Sequence, residues 1–200
     1  MTWPVTLTAD GVTLRPLRIR DARSWREVRR RNHEWLQPWE ATLPPEGLTD
    51  GEQIPSFGAM VRVLRTDARE GRSLPWAIEF DRHLIGQVTV GGITRGSMRG
   101  AHIGYWIDQD YAGRGLMPTA VAMSLDYCLD NLRLHRIEVN IRPENFPSRR
   151  VAEKLGLRLE GERPGYLHIA GQWRDHLTYV AFAGDFPHGV LEAYRVSRGG

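Results

Sequence analysis

The chain has 200 residues, 41% apolar and 26% charged, with a formal net charge of +3. That is enough to bury one good core, so a single domain over 1–200 is expected, with its core at about 12–183 and a tail at about 185–200. With no run of eighteen apolar residues and no charged-then-apolar leader at the N-terminus, the composition excludes a helical membrane span and points to a soluble cytoplasmic protein with no membrane partner. The arginines spread along the whole chain against a single lysine, Lys154, whereas a nucleic-acid footprint is clustered, so no direct nucleic-acid contact is expected. The lone Cys128 cannot form an internal disulfide and is taken as core filler.

In chain order, Val12 to Arg15 and Leu17 to Ile19 form a short strand and its exit. Asp21 is placed to cap a helix running to about Arg31, with Ala22, Trp25 and Val28 turned inward. The arginine-dense run from Arg20 to Arg31 is taken as that helix's wet face. Trp35-Leu36-Gln37-Pro38-Trp39-Glu40 follows, and its tryptophans either pack under the next loop or form one wall of a substrate groove. Thr49 or Asp50 opens a second helix, regular from near Ser56 because of Pro55, apolar over Phe57 to Leu64 and closed by Gly71. Trp76 to Phe80 and Leu84 to Val90 form two strands joined at Asp81-Arg82-His83, and a turn at Gly96-Ser97 leads into a strand ending at Ile107.

The stretch from Ile103 to Leu132 organises the chain. It predicts a strand, a loop carrying Gly113 and Gly115, and a long helix with Leu116, Ala120, Met123 and Tyr127 on one face. Pro118 is tolerated only in a first turn and so fixes the helix start. A glycine loop entering a helix N-terminus presents unpaired N–H groups at the positive end of the dipole, a site suited to a pyrophosphate. The loop is not a Walker sequence and lacks a complete GxGxxG fingerprint. Beyond it, Arg136 to Ile141 is a β-branched run after a helix, which predicts a crossover and parallel pairing. A helix from about Ser148 to Leu155 stops at Gly156, and Leu157 to Glu162, Tyr166 to Ile169 and His176 to Phe182 supply the closing strands. The tail beyond Asp185 shows little pattern, and its Gly-Gly end is expected to be loose.

The segment Asp110-Tyr111-Ala112-Gly113-Arg114-Gly115 resembles the acetyl-CoA loop of the GNAT superfamily of N-acetyltransferases, whose pattern is Gln/Arg-x-x-Gly-x-Gly/Ala; the glycines match and the first position departs. HRIEVNIRPENFPSRRVAEKLGLRLEG is similar to the strand, Asn-x-x-Ser turn and short helix of the same superfamily. GYLHIAGQWRDHLTYVAF and WLQPWE resemble segments of its RimJ-type ribosomal-protein alanine N-acetyltransferases. The resemblance covers roughly residues 12 to 183 and implies an α/β GNAT fold. In that fold a mixed, mostly antiparallel sheet of six to seven strands is flanked by helices, with CoA bound where two central parallel strands splay.

The resemblance further implies that Ile107, Gly113, Arg114, Gly115, Met117 and Thr119 bind acetyl-CoA, that Asn145 meets the pantetheine arm, and that Ser148 protonates the departing thiolate. Ser148 can equally be a helix N-cap, or one hydroxyl can do both, and Asn145 can simply form the turn. The acceptor groove is assigned to Trp35, Trp39 and Tyr166. Relatives often carry a carboxylate just before that tyrosine, where this chain has Gly165, so Glu138 is the best remaining candidate for the base, directly or through a water, and can equally be an exposed or arginine-paired strand residue. An α-amine titrates near ~8 and is roughly a quarter neutral at cytoplasmic pH, against about a tenth of a percent for a lysine near ~10.4, so a weak base suits a protein N-terminus. Asp175 and His176 are adjacent on a strand and point to opposite faces, which excludes a triad with Ser148. The histidines show no metal-ligand spacing, and no metal is expected. The leading expectation is acetylation of a protein α-amine, a ribosomal protein being the natural acceptor, by a monomer or homodimer. The alternatives are a small amine (aminoglycoside, polyamine or toxin) as acceptor, and a non-catalytic acetyl-CoA-binding module.

Overall fold

A computed structural model describes residues 3–44 and 56–199. Eight strands form one sheet in the order β1-β2-β3-β4-β5-β6-β8-β7: β1 Leu7–Ala9, β2 Val12–Pro16, β3 Leu74–Phe80, β4 His83–Thr94, β5 Gly100–Ile107, β6 Arg136–Ile141, β7 Arg158–Ile169 and β8 Gln172–Phe182. This exceeds the expected six to seven because Leu7–Ala9 also pairs, antiparallel to β2 across a turn at Asp10-Gly11. Both turn residues have positive φ, 49° and 79°, as a tight hairpin requires. The three expected closing strands are two, since the backbone from Arg158 to Ile169 stays in one strand and absorbs its interruptions as bulges against β8.

Every pairing is antiparallel except β5 with β6, which pairs only over Gly100↔Arg136, Ala101↔Ile137 and His102↔Glu138. Beyond His102 the two strands part. The helix between them, α4 (Leu116–Asp126), is the crossover that parallel neighbours need. Against the expectation of one apolar face, all ten residues from Leu116 to Leu125 are buried. A helix apolar all round must be covered on every side. The sheet covers one side, and α5 (Phe146–Lys154) and α6 (Val190–Gly199) pack on the rest.

The tail beyond Asp185, which shows little pattern in the sequence, thus forms a packed helix. In α6, Val190 and Tyr194 are buried, and the Asp126 carboxylate at the end of α4 accepts the N–H groups of Val190 (2.6 Å) and Leu191 (3.1 Å). The long helix also ends early: a π-helical turn over Tyr127–Asn131 follows α4, closed by the Leu132 N–H on the Tyr127 carbonyl at 3.1 Å.

On the opposite face of the sheet lie α1 (Ala22–Arg31) and α3 (Phe57–Arg69), with Leu17, Val28, Phe57, Val61, Ala77 and Leu84 forming a second cluster. Ser56 caps α3, its Oγ accepting from Ala59; the expected openers Thr49 and Asp50 lie outside the described residues. Asp21 does not cap α1. Its carboxylate is taken by the Arg18 N–H at 2.8 Å and by the Arg15 guanidinium at 2.8 and 3.0 Å. A short helix α2 (His33–Leu36) and a 3-10 turn over Gln37–Trp39 complete the N-terminal half. Among the described residues, no helix is long and apolar enough to cross a membrane.

Candidate active site

Where β5 and β6 part, a cleft of about 410 Å³ opens. Its walls come from three places: the end of β5, the glycine loop with the start of α4, and the start of α5, with the Trp35–Glu40 segment laid across them. Gly113 and Gly115 sit at φ 76° and 80°, a conformation that side chains resist. The first carbonyl used by α4 is that of Gly115, which accepts the Thr119 N–H at 3.2 Å. The N–H groups from Gly113 to Met117 consequently find no acceptor among the described residues. Five consecutive free donors at a helix N-terminus form an anion cradle. A Cβ on Gly113 would meet nothing within 4 Å, so the loop's open side faces free space.

At the start of α5 the expected roles exchange. Asn145 is the N-cap, its Oδ1 accepting the Ser148 N–H at 3.1 Å, and Ser148 lies inside the first turn. The Ser148 hydroxyl, free of capping, donates to the Tyr105 hydroxyl at 2.9 Å, while Tyr105 donates to the Ser148 carbonyl at 3.2 Å. Burial holds the Tyr105 phenol above its ordinary value, so it stays protonated. Sequence reasoning missed Tyr105. The available signal was an aromatic hydroxyl on the same strand face as Ile107, two residues before it.

Trp35 and Trp39 both line the cleft. The Trp35 indole N–H donates to the Ile107 carbonyl at 3.2 Å, which occupies that oxygen. Arg142 lies over the Trp39 ring at 5.4 Å and donates to the Pro38 carbonyl at 2.8 Å, tying the wall to the β6–α5 loop. Farther on, the Thr42 N–H donates to the His168 carbonyl at 2.8 Å. The segment is thus moored on two sides.

Of the residues singled out in the sequence, Ile107, Gly113, Gly115, Met117, Asn145, Ser148, Trp35 and Trp39 are brought together in the cleft walls. Four are not. The Arg114 guanidinium stacks on Phe80 and Tyr111, 5.2 Å from each ring. Thr119 is buried and spends its hydroxyl on the Gly115 carbonyl at 3.1 Å. Tyr166 accepts from Asn140 at 3.3 Å and packs its ring on His176. Glu138 is held between Arg136 (2.9 Å) and Arg163 (2.8 Å), which together keep its carboxyl below the ordinary value although burial alone would raise it. It sits at the last position of β6 paired with β5, before those strands part, and is not among the residues that line the cleft. Cys128 is buried, and desolvation pushes its thiol up to about 12, as core filler requires.

A splayed pair of parallel strands, a glycine loop of free N–H groups and a hydroxyl pair in one cleft define a transferase for an activated group on a phosphate-bearing carrier. The acetyltransferase (GNAT) domain family matches residues 12–158, and the chain belongs to that family. The [Ribosomal protein uS5]-alanine N-acetyltransferase of Escherichia coli (strain K12) is 30% identical over 189 residues, covering 92% of this chain and 94% of that one. The solved structure of Mycobacterium smegmatis RimJ in complex with CoA-disulfide superposes with a TM-score of 0.88 at 39% identity, over 98% of this chain and 96% of that one. Ribosomal-protein-S5-alanine acetyltransferase from Vibrio fischeri superposes with a TM-score of 0.78 at 27% identity, over 90% and 98%.

Proposed function

We propose that this chain transfers the acetyl group of acetyl-CoA to the N-terminal α-amine of a protein, a ribosomal protein in the cytoplasm being the acceptor. One observation carries the reaction: Gly113, Gly115 and Met117 of the loop with free N–H groups, and the Ser148–Tyr105 hydroxyl pair, border a single cleft. The likeness to ribosomal-protein alanine N-acetyltransferases over nearly the whole chain supports the choice of acceptor.

In this reading the 113–117 donors hold the pyrophosphate of acetyl-CoA, and Asn145 with Met117 borders the pantetheine arm. The acceptor nitrogen forms a C–N bond to the acetyl carbon as the C–S bond breaks. The sulfur takes up a proton from the Ser148 hydroxyl, and Tyr105 orients that hydroxyl. Trp35 and Trp39 form the wall against which the acceptor lies.

The test is acetyl-CoA-dependent thiol release with three acceptors: a peptide with a free N-terminal Ala or Ser, its Nα-blocked copy with an internal Lys, and a panel of polyamines and aminoglycosides. Release with the free-terminus peptide alone is expected. Release confined to the small amines, or cofactor binding without release, would refute the reading.

A further inference from the structure

Glu40 contributes the one carboxylate among the described residues that line the cleft. Its position is built. Arg29 of α1 lies between the Trp25 and Trp106 rings, 5.3 Å from each centroid, and pairs with Glu40 through Oε1. The backbone is fixed on both sides, by the Glu40 N–H on the Gln37 carbonyl at 3.3 Å and by the antiparallel bridge of Ala41 to Ile169. The second carboxylate oxygen, Oε2, has no partner among the described residues. The side chain is neither buried nor fully wet, at 37% exposure, so it meets solvent while facing the cleft. Arg29, Arg150 and Lys154 also line the cleft, and among the described residues Glu40 is the one anionic side chain a cationic acceptor entering it meets.

We propose that Glu40 receives the ammonium group of the acceptor and takes up the proton that must leave before attack. The inference rests on the N-acetyltransferase reading above and deepens it by naming the acceptor's charged subsite. One N–H bond of the ammonium breaks and an O–H bond forms on Glu40, which keeps that proton through the attack and releases it to solvent only afterwards. The freed lone pair attacks the acetyl carbon. The second proton lost from nitrogen balances the one gained by the departing sulfur at Ser148. Glu138, clamped by two arginines, and Asp108, whose carboxylate is taken by Arg31 and Asn32, are not free for this work.

The pH profile tests the assignment, because a carboxylate that binds the charged amine and an enzyme that waits for neutral amine behave differently. In wild type, kcat/KM for a free-terminus peptide is then nearly flat from about pH 6 to 8. In Glu40→Gln it should rise about tenfold per pH unit until the amine is neutral, near pH ~8. The defect is then on the order of 100-fold at pH 6 and shrinks toward pH 8.5, with acetyl-CoA binding measured by calorimetry within twofold of wild type. Glu40→Asp should restore the flat profile in part. A pH-independent defect, a wild-type profile in Glu40→Gln, or an equal loss of acetyl-CoA affinity overturns the proposal. A wild-type protein that acetylates spermidine but no peptide refutes the protein-acceptor reading while leaving the Glu40 profile readable on spermidine. Turnover of neither acceptor removes both.

Discussion

Replacing Gly113 and Gly115 separately by alanine tests whether the loop is a ligand cradle or only a turn. Both residues have φ in the left-handed region, 76° and 80°, where an L-residue loses about 1–2 kcal/mol. For Gly113 the added methyl meets nothing within 4 Å, so backbone strain is the whole stability cost. In a chain of this length that is a fall in Tm of roughly 2–8 °C. The methyl would stand at the lip of the cleft beside the free N–H groups, and acetyl-CoA affinity should fall by more than tenfold, about 1.4 kcal/mol or more. For Gly115 the methyl would approach the Tyr194 hydroxyl and the Arg198 guanidinium at 3.2 Å each, so α6 must yield. That variant should lose at least as much Tm. Thermal denaturation gives the first quantity and calorimetric titration with acetyl-CoA the second. If Gly113→Ala lowers Tm as computed yet binds acetyl-CoA within twofold of wild type, the loop is a turn and not a cradle.

Three further outcomes are expected. Tyr105→Phe removes the acceptor of the Ser148 hydroxyl and should lower stability by about 1 kcal/mol and kcat by about tenfold with acetyl-CoA affinity unchanged; an unchanged kcat would leave Ser148 independent of Tyr105. Glu138→Gln should leave the rate and its pH profile as in wild type, and a lost limb in the profile would return Glu138 to the chemistry. The Asp108 carboxylate is 1% exposed and accepts from Arg31 and from Asn32 (2.8 Å); although burial opposes ionisation, these partners hold its carboxyl below the ordinary value. Its contribution is therefore complete above the unfolded-state value near ~3.9 and is lost as pH falls through the lower folded value. Asp108→Asn should cost about 2 kcal/mol at pH 7 and flatten the acid limb of chemical denaturation midpoints, and an unaltered limb would contradict the linkage.

Elements written in short-range pattern were legible. Arg136 to Ile141 alternates and pairs over its whole length, Pro118 with Gly115 marks the start of α4, and Asp81 and Arg82 turn the β3–β4 hairpin with positive φ. The cleft's cofactor side was legible for the same reason: a glycine loop entering a helix creates its free N–H groups locally. Three features were not. The burial of α4 on all sides depends on α6, whose weak pattern gives no hint that Tyr194 and Val190 close over it. Whether Glu138 was a base or an arginine-paired residue stayed open because charge pairing across strands is invisible in one strand, and Arg163 reaches it from 25 residues away. Glu40 and Tyr105 looked ordinary until Arg29, Trp25 and Trp106 framed the one and Ser148 met the other. The sequence by itself determined the central strand, glycine loop and helix, and through its motifs the family, since periodicity, φ preference and motif spacing act within short stretches. The tertiary structure alone decided which carboxylate and which hydroxyls line the cleft, because that turns on where β5 and β6 part and on contacts between residues distant in the chain.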